Sequence, residues 1–295
     1  MKKALFAGTA TALITPFRNG TVDYEAYDAL LERQLAQGVQ ALFPCGTTGE
    51  PATLTNDEWL SVIKRTVSIV HGRVPVIAGT GGNNTADVIE RARAAKEAGA
   101  DAQLCVTPYY NKTTQAGLIA HYSAICADHS LPVILYSVPS RTGMSIAVDT
   151  VEALSRLDGV IGLKEAGGDI CRFGDIISRC GDDMPVYCGA DEMTVPALSL
   201  GALGVVSVLS DLLPDKVVQM TDAWRRGDVH TAARLQLTYL PLIRLLFRQV
   251  SPIPIKAALS MLSLCSDEVR LPLTALNEQE KAALRTELVR LEIIK

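Results

Sequence analysis

No Cys-x-x-Cys pair occurs in the 295 residues, and the four histidines (His71, His121, His129, His230) lie far apart. A structural zinc site therefore has no basis in the sequence. The seven cysteines are odd in number and scattered, several of them inside apolar runs. Such usage points to reduced core thiols in a cytoplasmic protein and away from a disulfide framework. No run of Lys or Arg stands out, and the net charge is −4 with a pI near 5.6. Neither a nucleic-acid nor an anionic-membrane surface is expected. No apolar run approaches the roughly 18 residues of a membrane helix. Lys2-Lys3 ahead of Ala4–Ile14 has the outline of a signal peptide, but the same residues are needed as a first strand, and that assignment is preferred. A low-complexity linker is also missing, so no separately moving domain is expected.

What is present is a large apolar complement, 48% of the chain, arranged in a repeating order. Residues 5–14 read as a strand, and Tyr24–Gln37 as a helix closed by Gly38. A second strand, Gln40–Cys45, is followed by a helix from Thr55. There Thr55-x-x-Glu58 is a capping box, and Trp59, Val62, Ile63, Thr66, Val67 and Val70 recur at helical spacing. Further apolar runs stand at 74–78, 102–107, 132–137, 160–164, 185–188 and 203–209, each separated by a helical pattern. These runs are continuous rather than alternating, as befits parallel strands covered on both faces. Eight strand–helix units predict a (β/α)8 barrel over residues 1–226. An open doubly wound sheet is disfavoured because no Gly-x-Gly-x-x-Gly follows the first strand. Gly79-Thr80-Gly81-Gly82-Asn83-Asn84 is a partial match only, read as a tight glycine turn. Residues 227–295 read as a C-terminal helical region, with helices at 229–247, 255–264 and 278–292 and a break at Pro252 and Pro254. The last helix carries Leu284, Leu288 and Leu291 on one face, for packing on the barrel wall or another subunit.

Barrels of this kind work at the C-terminal ends of their strands. Read there, strand two delivers Gly46-Thr47-Thr48-Gly49-Glu50, strand four Pro108-Tyr109-Tyr110-Asn111, strand five Tyr136 and then Ser140-Arg141-Thr142-Gly143, and strand six Lys164. Lys164 ends the run Val160-Ile161-Gly162-Leu163. A buried ammonium is costly unless it is paired or gives up its proton, and the neutral amine can form an imine with a carbonyl compound. Pairing with Glu165 is the alternative. The threonines and glycines of strand two offer hydroxyls and backbone N–H groups to an anion, or else simply cap the next helix. Tyr136 is placed to exchange a proton with the lysine, or is a core tyrosine. Arg141 can fork onto a carboxylate, or is a solvated surface group.

These segments carry a resemblance. Gly46-Thr47-Thr48-Gly49-Glu50, Thr107-Pro108-Tyr109-Tyr110-Asn111, Leu135-Tyr136-Ser137-Val138-Pro139-Ser140-Arg141-Thr142-Gly143, Gly162-Leu163-Lys164-Glu165-Ala166 and Gly204-Val205-Val206-Ser207-Val208 stand in the order seen in the dihydrodipicolinate synthase family. That family belongs to the pyruvate-dependent class I lyases, with N-acetylneuraminate lyase, and the resemblance covers essentially the whole chain. It implies that Lys164 forms a Schiff base with pyruvate and that Thr47, Tyr136 and Tyr110 relay protons, Tyr110 reaching into the neighbouring subunit's site. It further implies that Thr48 holds the pyruvate carboxylate, that Gly189 and Val206 line the pocket, and that Arg141 takes the carboxylate of L-aspartate 4-semialdehyde. A homotetramer, built as a dimer of dimers, is the usual assembly, and no metal or organic cofactor is implied.

Two other functions remain open. One is a sister lyase cleaving a sialic acid or a 2-keto-3-deoxy sugar acid, which would share Lys164 and Tyr136; the Ser-Arg-Thr-Gly pattern favours the synthase. The other is a catalytically silent ligand-binding barrel, against which the full set Lys164, Tyr136, Thr47 and Tyr110 argues. Family members are often inhibited by lysine at the dimer interface, and the matching positions include Pro51, Ala52, Asn56, Trp59, Asn83, Asp87 and Tyr109. Asn83 and Tyr109 fit that pattern. Trp59 and Asp87 depart from the histidine and glutamate of the enterobacterial type, so weak or absent inhibition is expected.

Overall fold

A computed structural model describes residues 2–295. Eight parallel strands, β1 (Gly8–Ala12), β2 (Ala41–Phe43), β3 (Ile77–Gly79), β4 (Ala102–Val106), β5 (Val133–Ser137), β6 (Val160–Glu165), β7 (Val186–Cys188) and β8 (Gly204–Ser207), pair in the order β2-β1-β8-β7-β6-β5-β4-β3. The sheet curls shut between its two edges. A parallel bridge joins Leu42 to Val76, and the Gly79 N–H donates to Pro44 O at 2.9 Å. The expected (β/α)8 barrel is therefore what the chain forms, with strands shorter by a residue or more at most ends. Its strands are buried on both faces, which explains their lack of alternation.

Helices α1 (Tyr24–Ala36), α2 (Asn56–Val70), α3 (Thr85–Glu97), α4 (Gln115–Ala127), α5 (Val148–Ser155), α6 (Ile170–Cys180), α7 (Thr194–Ser199) and α8 (Pro214–Arg225) return the chain between strands. Their starts are written locally. Asp23, Thr55, Asn84, Thr114 and Asp169 each accept a backbone N–H from the first turn, and the Thr55/Glu58 capping box forms in full. α2 buries Trp59, Val62, Ile63, Thr66 and Val70, with Val67 half-buried at the edge of that face.

Residues 5–14 form a barrel strand and its continuation. Ala10 and Thr11 are fully buried, and the Lys2 amine donates to the carbonyls of Ser155 and Val160 at 2.6 and 2.7 Å. The glycines after β3 are not a tight turn in the left-handed region. Gly79 and Gly81 allow close backbone approach instead, since a Cβ would lie 2.0 Å from Cys45 O and 2.3 Å from Val106 N respectively. A two-stranded hairpin, Phe17–Arg18 against Thr21–Val22, follows β1; its strands are too short to leave a periodic signal.

After α8 come α9 (Val229–Leu246), α10 (Ile253–Met261) and α11 (Glu278–Arg290). Leu284 and Leu288 of α11 are buried, and α11 packs on α9 and α10 rather than on the barrel wall. These helices share one continuous apolar core with the strands. The segment between α9 and α10 thereby lies over the mouth of the barrel.

Candidate active site

Lys164 sits inside β6 beside Tyr136 of β5, its direct neighbour in strand register. Both are buried, at 5% and 6% exposure, with the ammonium nitrogen 4.4 Å from the centre of the tyrosine ring. No ion pair among the described residues includes Lys164. The adjacent Glu165, on the opposite face of the strand as the pleat requires, pairs with Arg172 at 3.2 Å and accepts the Gly167 N–H. Burial raises the Glu165 carboxyl above its usual value, with Arg172 opposing. Pairing of Lys164 with Glu165 is thus excluded by geometry.

Lys164 faces a cavity of about 600 Å³ bordered by Thr47, Thr48, Tyr136, Arg141 and Gly189. Gly189 is where it is because β7 passes close to the lysine: a Cβ there would stand 3.0 Å from Lys164 Cε and 2.8 Å from Ala166 Cβ. Any side chain would press on the amine's stem. Thr47 and Thr48 lie on a single 3-10 turn, Thr47–Gly49, after β2. Its carbonyl end is held by the Thr15 hydroxyl, which donates to Gly49 O at 2.8 Å. Arg141 stands on a short turn, Pro139–Thr142, and donates to Ser251 O at 3.1 Å, so the barrel loop and the α9–α10 segment meet at the rim. Thr142 accepts from Thr107 at 3.0 Å, joining the ends of β4 and β5.

The structure does not bring every expected residue to this cavity. Val206 is buried on β8 and is not among the lining residues, whereas Val208 is. Tyr110 is 91% exposed with a left-handed backbone (φ 69°) and does not border the Lys164 cavity. Among the positions matched to an effector site, Asn83 donates to Tyr109 O at 3.3 Å, and Asp87 is exposed and bonded by Asn84. Trp59 is buried, its indole N–H committed to Gly79 O at 3.0 Å. Tyr109 borders a second cavity of about 490 Å³, which shares Thr47, Tyr136 and Arg141 with the first.

Three features at the mouth were not legible in the sequence: the role of Asp191, the partner of Glu50 and the placement of two arginines. Asp191, buried at the border of Lys164's cavity, accepts from the Val208 and Leu209 N–H groups and from the Ser207 hydroxyl. Burial raises its carboxyl above the ordinary range against the pull of those bonds. Glu50 is paired with Lys256 of α10 at 2.5 Å, 206 residues away. Arg244 and Arg248, from the end of α9, border the Lys164 cavity. No group of three His, Cys, Asp or Glu side chains that could hold a metal is found among the described residues.

Barrel and mouth together define an α/β-barrel enzyme with one buried lysine amine at the centre of its cavity. The chain belongs to the dihydrodipicolinate synthetase family, whose model matches residues 5–291. The 4-hydroxy-tetrahydrodipicolinate synthase of Geobacter sulfurreducens is 48% identical over 95% of this chain and 97% of its own. Among solved structures, the dihydrodipicolinate synthase of Thermotoga maritima superposes with a TM-score of 0.97 at 37% identity, covering 99% of this chain and 100% of its own. A monomeric dihydrodipicolinate synthase variant gives the same TM-score and identity over 98% of each chain.

Proposed function

We infer that the chain condenses pyruvate with L-aspartate 4-semialdehyde, the 4-hydroxy-tetrahydrodipicolinate synthase reaction of diaminopimelate and lysine biosynthesis. The observation that carries this reading is the buried Lys164, without a carboxylate partner, facing a cavity bordered by Tyr136, Thr47 and Arg141. Relatives at 46–48% identity over nearly their full length carry that enzyme name.

The residues divide the work as follows. The Lys164 amine adds to the keto carbon of pyruvate, and the resulting carbinolamine expels water with a proton from Tyr136. The iminium draws electrons from the methyl group, which loses a proton to give an enamine. The enamine carbon attacks the aldehyde carbon, whose oxygen takes a proton and becomes the hydroxyl. The amino group of the second substrate then adds at the iminium carbon and displaces Lys164 as the ring closes. Thr47 links Tyr136 to bulk solvent in this scheme, with Tyr110 of a neighbouring subunit completing the relay. Thr48 and the backbone of its turn hold the pyruvate carboxylate, and Gly189 shapes the floor beside the lysine stem. Arg141 holds the carboxylate of the semialdehyde. This route calls for no metal or organic cofactor.

The exposure of Tyr110 supports a homo-oligomer, a dimer or a dimer of dimers, in which that ring is covered. The free thiols of Cys45, Cys105, Cys126, Cys171, Cys180, Cys188 and Cys265 support a cytoplasmic setting; among the described residues no helix is long and apolar enough to cross a membrane. Inhibition by lysine is weak or absent in this reading, since Trp59 is engaged in the core; turnover that collapses in millimolar lysine would contradict that point.

The test is pyruvate consumption by the purified protein with and without L-aspartate 4-semialdehyde, beside a sialic acid cleavage assay. Turnover only with the semialdehyde is the expected result. Cleavage of sialic acid in its place would assign the barrel to the sister lyases.

A further inference from the structure

Three guanidinium groups border the Lys164 cavity: Arg141 from the barrel, and Arg244 and Arg248 from the end of α9. None of the three has a carboxylate within ion-pair distance among the described residues. Arg141 bonds only a backbone carbonyl, that of Ser251. Glu280, which borders a small pocket together with Arg248, accepts from Gln249. The cavity's own carboxylates do not cancel these charges, for Asp191 is buried in bonds to Ser207, Val208 and Leu209, leaving Glu192 as the exposed one. A helix C-terminus favours cations in any event. That accounts for the residue type, but not for two exposed, unpaired arginines bordering the catalytic cavity in a chain of net charge −4.

We propose that Arg244 and Arg248 form an anion-collecting rim that draws pyruvate to Lys164. The proposal rests on the function given above and adds a division between its two substrates. Pyruvate is a monoanion with no positive group, so a field of one sign acts on its whole charge. The semialdehyde carries an ammonium beside its carboxylate and is neutral overall, so the same field acts only on its dipole. Guanidiniums are charged at any pH at which the enzyme works, and a concave, low-dielectric mouth focuses their field on the approaching ligand. Collection of this kind changes the rate of encounter, is screened by salt, and leaves the chemical steps untouched.

The experiment uses the full-length R244Q/R248Q double variant and its parent, each at low and high sodium chloride. Neither side chain is buried or bonded, so the fold is expected to hold, as circular dichroism and thermal melting will report. At low salt the variant should lose roughly threefold to tenfold in kcat/KM for pyruvate, with kcat and kcat/KM for the semialdehyde within about twofold of the parent. Added salt should lower the parent's kcat/KM for pyruvate until the two proteins coincide. An R244E/R248E variant should reverse the sign of the salt effect. Equal losses for both substrates, a loss that persists at high salt, or no loss at low salt would each overturn the proposal. The rate of borohydride-trappable imine formation with pyruvate alone is measured alongside, because it needs no second substrate. Should the parent show no turnover with the semialdehyde, the function fails on its own account. The trapping rates then still decide the rim: a salt-sensitive deficit in the variant upholds it, and equal rates refute it.

Discussion

Two buried lysines face the same end of the barrel and have opposite surroundings. Lys256 is fully buried. Its amine is paired with Glu50 at 2.5 Å, donates to Glu268 O at 2.9 Å and lies over the Phe17 ring, and it borders neither cavity at the mouth. Burial pushes that amine below its ordinary range while Glu50 pulls the other way. Lys164 has no acid partner and opens on a cavity of about 600 Å³. What separates them is access and partners, not depth. The first ties the mouth together; the second carries no such tie and faces open space.

The tie is specific. Glu50, in the left-handed region at φ 54°, ends the turn that presents Thr47 and Thr48, and its second oxygen accepts the Arg270 N–H at 3.2 Å. Arg270 in turn forks onto Glu58 and, with Lys256, covers Phe17. Through this cluster the C-terminal region grips the Thr47–Gly49 turn at the barrel mouth, so it is part of the mouth's frame and more than an appendage.

The comparison breaks most severely at Lys164. Lys164→Ala should abolish turnover while leaving the melting temperature within a few degrees of the parent, because no bonded partner is orphaned. The reverse is expected for Lys256→Met, which leaves Glu50 buried and unpaired. Destabilisation of about 3–5 kcal/mol is the usual scale for removing one partner of a buried pair, and chemical denaturation measures it. Adding Glu50→Gln to that variant should recover a large part of the loss, and a double variant no better than the single would refute the pairing account. Next in size, Tyr136→Phe should lower kcat by about 10²–10⁴, the range typical of a lost proton-transfer group. The imine on Lys164 should still form, more slowly, in a single-turnover trapping experiment.

A smaller effect follows from pH. The Arg270 guanidinium holds the Glu58 carboxyl down to about 2, below its unfolded value near 4.3. A depressed carboxylate contributes stability that is complete above the unfolded value and is lost as pH falls from there toward 2. Thermal melts across that window should show a steeper decline for the parent than for Arg270→Gln; parallel curves would show that the fork contributes nothing.

Much of this molecule could be read from its sequence because the signals are local. Continuous apolar runs, capping residues and glycine stops lie within one element, so the order of eight strands and helices followed directly. Lys164, Tyr136, Thr47, Thr48 and Arg141 were legible for a related reason: each lies at or just past a strand end, and the barrel brings all such ends together. The remainder depends on contacts that no periodicity encodes. Glu50 and Lys256 meet across 206 residues, and Arg244 and Arg248 look like solvated surface charges until α9 is folded over the mouth. Val206 illustrates the limit within a strand, since being next to the site is not the same as bordering its cavity. Tyr110 is exposed in the single chain, and nothing in the local sequence sets it apart from a strand-end residue that faces the cavity.

The most direct test of the account is to reduce the enzyme with borohydride in the presence of pyruvate, digest it and map the modified lysine by mass spectrometry. The account predicts one adduct, on Lys164, with Lys256 unmodified in the folded protein. An adduct on any other lysine, or none at all in an enzyme that turns over, would contradict it.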